Sequence, residues 1–160
     1  MSNQSQQENF FERSVWVLFL VLGAIEILFG LGDMVAGIEN DPAILISATG
    51  RTPAELKAQD PLIHTAMDHQ QKLIGYNLLM TGLLISIVSV TAFRSGARWA
   101  WVTFWLIPVS MVFIVISSYN IRQPGQSLAP PFYSGLLCAV LTIVWLALSS
   151  RKYFSSAKDG

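Results

Sequence analysis

The chain has 160 residues, a mean hydropathy of +0.50, 52% hydrophobic residues and 12% charged ones. Soluble domains carry about twice that share of charge, and a fold of this size has too little interior to hide so much apolar sequence. A bilayer is therefore the expected solvent. Ten basic and ten acidic residues balance to zero, which leaves no basic face for nucleic acid.

Residues 1–12 are polar and rich in Gln, Asn and Ser, the composition of a short disordered tail. The first apolar run, 14–36, outlasts the roughly 7–15 residues of a signal-peptide core and lacks a clear cleavage site. It is read as a retained helix. Three more runs follow at 73–93, 99–119 and 132–149, each near the ~20 residues a spanning helix needs. The expected fold is all-α: an integral membrane four-helix bundle, with residues 1–13 and 151–160 as cytoplasmic tails.

The connections differ in kind. Residues 94–98 form a tight hairpin, and about a dozen residues rich in Pro, Gly, Gln and Ser join the third and fourth runs. The long link, 37–72, carries its own helix starts. Asp41-Pro42, Thr52-Pro53 and Asp60-Pro61 each set an N-cap residue before a proline. Thr52 and Glu55 have the spacing of a capping box. The link is expected to be helical, to cap the bundle on the extracytoplasmic side, and to run from Pro61 into the second span.

Orientation follows Lys and Arg near the helix ends. Arg13, Arg94, Arg98, Arg151, Lys152 and Lys158 fall on one side, against Arg51, Lys57, Lys72 and Arg122 on the other. Both termini are thus expected in the cytoplasm. Trp16, Trp99, Trp101, Tyr153 and Phe154 would mark the inner boundary, and Tyr76, Tyr119, Phe132 and Tyr133 the outer one.

Three groups of residues could carry chemistry. In the first run, Gly23, Glu26, Gly30, Asp33 and Gly37 recur at steps of three and four and share one helix face. Small residues there let a neighbouring helix approach. An ionised acid facing lipid costs ~2.5 kcal/mol or more at mid-span, so Glu26 should face protein or water. Such an acid binds a cation, relays a proton, contacts a polar ligand group, or specifies packing.

The second group is His64, Asp68, His69, Gln71 and Lys72, ahead of the second span. Asp68 is placed to orient His64 for acid–base work, or the two form an interfacial salt bridge. Together with Asp33 they offer one nitrogen and two carboxylates to a divalent metal, although no metal is assigned. Gln71, Gly75, Gly82, Ser86 and Ser89 continue roughly along the His64/Asp68 face. The third group, Ser117 to Arg122, ends the third span, where Asn120 and Arg122 could meet a ligand or Arg122 could pair Asp33 or Asp68. Trp101, Trp105 and Pro108 share a face, and Pro108 is expected to kink the helix there. Trp105 would then wall a pocket or simply pack.

The lone Cys138 makes neither a disulfide nor a metal cluster and reads as a small core residue. P-loop, GxGxxG, HExxH and CxxC motifs are absent, so no cofactor is assigned.

The residues 23–26 (Gly-Ala-Ile-Glu) to Gly32-Asp33, the Thr52-Pro53 entry, His64 and the 98–101 stretch (Arg-Trp-Ala-Trp) resemble small bacterial DoxX-like membrane proteins. The resemblance implies a four-helix bundle in a bacterial cytoplasmic membrane and transfers no catalytic residue. The activity expected first is a non-enzymatic bundle binding a lipid, a lipophilic ligand, a second copy or another membrane protein. The alternatives are an enzyme doing acid–base chemistry on a lipophilic small molecule through Glu26, Asp33, His64 and Asp68, and a transporter or channel component.

Overall fold

A computed structural model describes residues 2–122, 124–125 and 127–154, with the side chains of 2–13, 130 and 151 left aside. Among the described residues every regular element is helical. The helices are α1 (Ser2–Ala36), α2 (Ala43–Thr49), α3 (Pro53–Gln59), α4 (Pro61–Val88), α5 (Arg98–Phe104), α6 (Leu106–Asn120) and α7 (Pro130–Phe154). A 3₁₀ turn, Gly37–Glu39, follows α1, and a π-helical stretch, Ser89–Phe93, continues α4.

Among the described residues four stretches are long and apolar enough to cross a membrane: Ser14–Glu39, Pro61–Phe93, Arg98–Asn120 and Pro131–Ser150. Their outward faces are apolar, with Val35 83%, Leu28 69%, Phe113 68% and Leu106 66% exposed. Such surfaces are stable only against lipid or another apolar partner. The polar segment expected as a disordered tail is instead helical from Ser2. Its Gln, Glu and Asn residues extend a helix already nucleated by the span, where each added residue costs little. Residues 155–160, including the counted Lys158, lie outside the described residues.

The spans alternate in direction. At the hairpin end, Phe19 of α1 meets Phe93, Phe104 of α5 and Trp145 of α7, with ring centroids 5.0, 4.5 and 6.0 Å apart. One aromatic from each of the other three spans therefore packs on a single ring that is itself fully buried. Polar clasps close the same end. Tyr153 donates to the Phe93 carbonyl at 2.7 Å, Arg98 Nε to the Tyr153 carbonyl at 2.9 Å and Lys152 to the Arg94 carbonyl at 3.0 Å. Tyr153, expected at the membrane boundary, is thus a core residue at 2% exposure. The π stretch places Ser89 so that its hydroxyl donates to the Trp16 carbonyl across the α1–α4 seam.

Proline acts on the third span as expected. Pro108 has no N–H to offer the carbonyl of Phe104, four residues back. The helix breaks there: Trp105 N turns to the Val102 carbonyl and Val109 N reaches Trp105 O only at 3.4 Å.

The link between the first two spans is ordered by its caps. Thr52 accepts from the Glu55 amide at 3.2 Å while Glu55 Oε2 accepts from the Thr52 amide at 2.7 Å, closing the capping box. These bonds hold the Glu55 carboxyl below its ordinary range. Asp60 accepts from the Ile63 amide and starts α4 behind Pro61. Ile38, Leu45 and Leu56 bury together against Met67 of α4, so α3 folds onto that helix while α2 closes the cluster and touches α7.

Candidate functional site: an apolar cleft with three acids

The polar face of α1 is sorted by its neighbours. Its glycines meet those of α4. A methyl group in place of the Gly30 hydrogen would come within 2.5 Å of Leu79 N and 2.7 Å of the Gly75 carbonyl. On Gly82 it would lie 2.6 Å from the Gly23 carbonyl. The two backbones therefore touch, and no side chain fits between them. The pattern Gly23, Gly30, Gly75, Gly82 in the sequence is this seam.

Glu26 and Asp33 also turn inward, at 8% and 5% exposure. Asp33 is fully engaged: Asn40 Nδ2 donates to Oδ1 at 2.7 Å and Gln71 Nε2 to Oδ2 at 2.9 Å. Gly37, with φ +58°, turns the chain out of α1 and brings the Ile38 amide to Asp68 Oδ1 at 3.2 Å. Lys72 reaches Asp68 Oδ2 at 2.6 Å, one turn along α4. Glu26 differs from both acids. Its Oε2 is buried and has no hydrogen-bond partner.

Glu26 lines a cavity of about 280 Å³ between α1, α4, α6 and α7. Leu22, Leu78, Met111 and Gly135 form its apolar walls. The α1–α4 pair and the α6–α7 pair meet tightly at the hairpin end and leave this space where the aromatic cluster stops. An adjoining cavity of about 260 Å³ shares Leu22, Ile25, Ser134 and Cys138 and runs along α1 and α7 to Leu141 and Trp145. On the outer side of α1, a groove of about 600 Å³ beside Leu28, Phe29 and Asp41 shares Ile25, Phe29 and Asp41 with the Glu26 cavity.

The other residues singled out in the sequence do not join this cleft. His64 Nε2 is buried without a hydrogen-bond partner and lies 4.0 Å from Glu39 Oε1. Asp68 is held by Lys72 and Ile38 and does not hydrogen-bond His64. The expected His64–Asp68 pairing is therefore not made. Arg122 lies over the Tyr119 ring at 5.7 Å and pairs neither Asp33 nor Asp68. Asn120 is exposed at the last residue of α6. Trp105 packs against the hairpin-end core and edge-on to Trp101 at 5.7 Å, away from the Glu26 cavity. Among the described residues no three His, Cys, Asp or Glu side chains converge as a metal site.

Sequence reasoning missed Asn40 and read Asp41 only as a helix start, not as part of the cavity lining. Neither has a periodic signal, and both reach the site only through the turn at Gly37. Cys138, read as a core residue, lines both cavities. Comparison with protein-family models, with curated proteins and with solved structures yields no match.

Proposed function

We propose that this chain is a multi-pass protein of a bacterial cytoplasmic membrane that binds a lipid-soluble molecule in the cleft beside Glu26. The observation that carries the reading is an apolar cavity of about 280 Å³ lined by Glu26, whose carboxyl has a buried oxygen without a partner. A few convergent polar atoms in an otherwise apolar concavity are the usual make-up of a small-molecule site, and an intramembrane acid without a protein partner marks a ligand pathway. An acid that served packing alone would be bonded across the seam, as Asp33 is. The DoxX-like features of α1 and of the Thr52-Pro53 entry support the bacterial setting.

The test is recovery of ligand from the membrane. The protein is extracted in native lipid nanodiscs and examined by native mass spectrometry, beside Cys138→Trp, which fills both cavities from one wall. Wild type should carry a bound lipophilic species and the variant should lose it while keeping its helical content. A wild-type protein with no such species would overturn the reading.

We propose also that both termini face the cytoplasm and that α2 and α3 lie on the outer face. The excess of Lys and Arg beside the hairpin end supports this. In intact spheroplasts a membrane-impermeant thiol reagent should label Thr49→Cys in the link and spare Ser95→Cys in the hairpin. The reverse pattern would invert the topology.

A further inference from the structure

We infer that the cleft takes an amphiphilic amine, with its positive nitrogen against Glu26 and its apolar body lying between α1 and α7 toward Trp145. This rests on the cleft being a binding site and adds the chemical class of what it binds.

The charge of the lining is one-sided. Glu26, Asp33 and Asp41 all line the cavity, and no Lys, Arg or His does among the described residues. Lys72, the basic residue nearest in sequence to Gln71 of this network, is already bonded to Asp68 at 2.6 Å. The acids are not equivalent. Asp33 spends both oxygens on Asn40 and Gln71, and Asp41 accepts from the Ala43 amide at 3.2 Å. Glu26, at 8% exposure, keeps a buried oxygen with no partner. A group that donates to it gains a bond the protein leaves unmade, and a cationic donor gains most, because charge-assisted bonds are about twice as strong as neutral ones.

Shape selects the rest of the ligand. Asp33 and Asp41 sit at the link end of the space and Glu26 two helical turns deeper, and the adjoining cavity beyond Leu22 and Ser134 is apolar as far as Leu141 and Trp145. A ligand that fills both must carry charge at one end and hydrocarbon at the other. Entry is lateral. Ile25 and Phe29, which border the Glu26 cavity, are 44% and 61% exposed on the apolar outer face and also line the groove beside Leu28. An amphiphile dissolved in the leaflet reaches Glu26 between these side chains without passing through water.

Dodecylamine and dodecanol, each bearing a terminal photoreactive diazirine, are the probes, with the protein in phosphatidylcholine nanodiscs and crosslinks mapped by peptide mass spectrometry. The amine should label the 134–145 stretch of α7 at about ten-fold lower concentration than the alcohol, a difference of about 1.4 kcal/mol. Glu26→Gln should bring the amine down to the level of the alcohol. Competition in wild type gives the same answer without a variant: dodecyltrimethylammonium should displace the amine and dodecyl sulfate should not. Equal labelling by both probes, an unchanged preference in Glu26→Gln, or displacement by the sulfate would overturn the amine assignment while leaving the cleft as a lipophilic site. Absence of labelling in the cleft by either probe would overturn both.

Discussion

Asp33 and Glu26 sit seven residues apart on one helix face and are almost equally buried, yet they do different things. The difference is in what each acid meets. Asp33 faces a loop and a helix that both supply amides, so its two oxygens are satisfied by neutral donors. Glu26 faces leucine, methionine and glycine. Removing a donor from Asp33 should therefore cost more than removing an exposed polar group. Gln71→Ala is expected to destabilise the protein by about 1–2 kcal/mol, within the range for stranding a buried acceptor. Unfolding in mixed micelles with increasing dodecyl sulfate measures this. A change below a few tenths of a kcal/mol would mean that water already serves that oxygen.

At the scale of elements, the α1–α4 seam leaves no room for a side chain between the two backbones. Overlap at Gly30 is with the backbone of Leu79 and Gly75, not with the flexible end of a side chain, so the neighbour cannot yield by changing rotamer. Gly30→Leu must push the two helices apart. The expected loss is about 3 kcal/mol, the upper part of what overpacking costs, together with the loss of the Gln71–Asp33 bond that spans the same seam. Ala24→Leu, on the exposed side of α1, should change stability by less than about 0.5 kcal/mol. The same micelle titration compares them, and equal effects would show that the helices are not in backbone contact. The seam was readable in advance because glycines at steps of seven and acids at steps of three and four hold their phase on any straight helix. Caps were readable for the same reason: Thr52 and Glu55 act on amides within three residues of themselves. The partners of Asp33 were not, because Asn40 arrives through a left-handed turn at Gly37 whose direction only the folded link determines.

At the scale of the molecule, two helix pairs are held together at one end and part at the other. Long-range contact of this kind has no periodic signature, so the cleft was not visible in the sequence, although apolar runs made the four spans plain. The fourfold aromatic junction joins the pairs beside the polar clasp of Tyr153 on the Phe93 carbonyl. Phe19 carries no polar atom, is completely buried, and touches a ring from each other span. In water, truncating such a residue costs about 3–5 kcal/mol, part of it the lost transfer from solvent. Between helices whose alternative neighbour is a lipid chain, transfer contributes little and lost packing remains. Phe19→Ala should therefore cost about 2 kcal/mol, the share left to the cavity. Its effect should also be uneven. The α1–α4 seam keeps its glycine contacts, so a crosslink between cysteines at Ala24 and Leu83 should form as in wild type. One between Val15 and Leu146, across the two pairs, should slow. If Phe19→Ala left both crosslinking rates and the unfolding midpoint unchanged, the pairs would be joined by something other than this ring, and the cleft would need a different account of why it stays open.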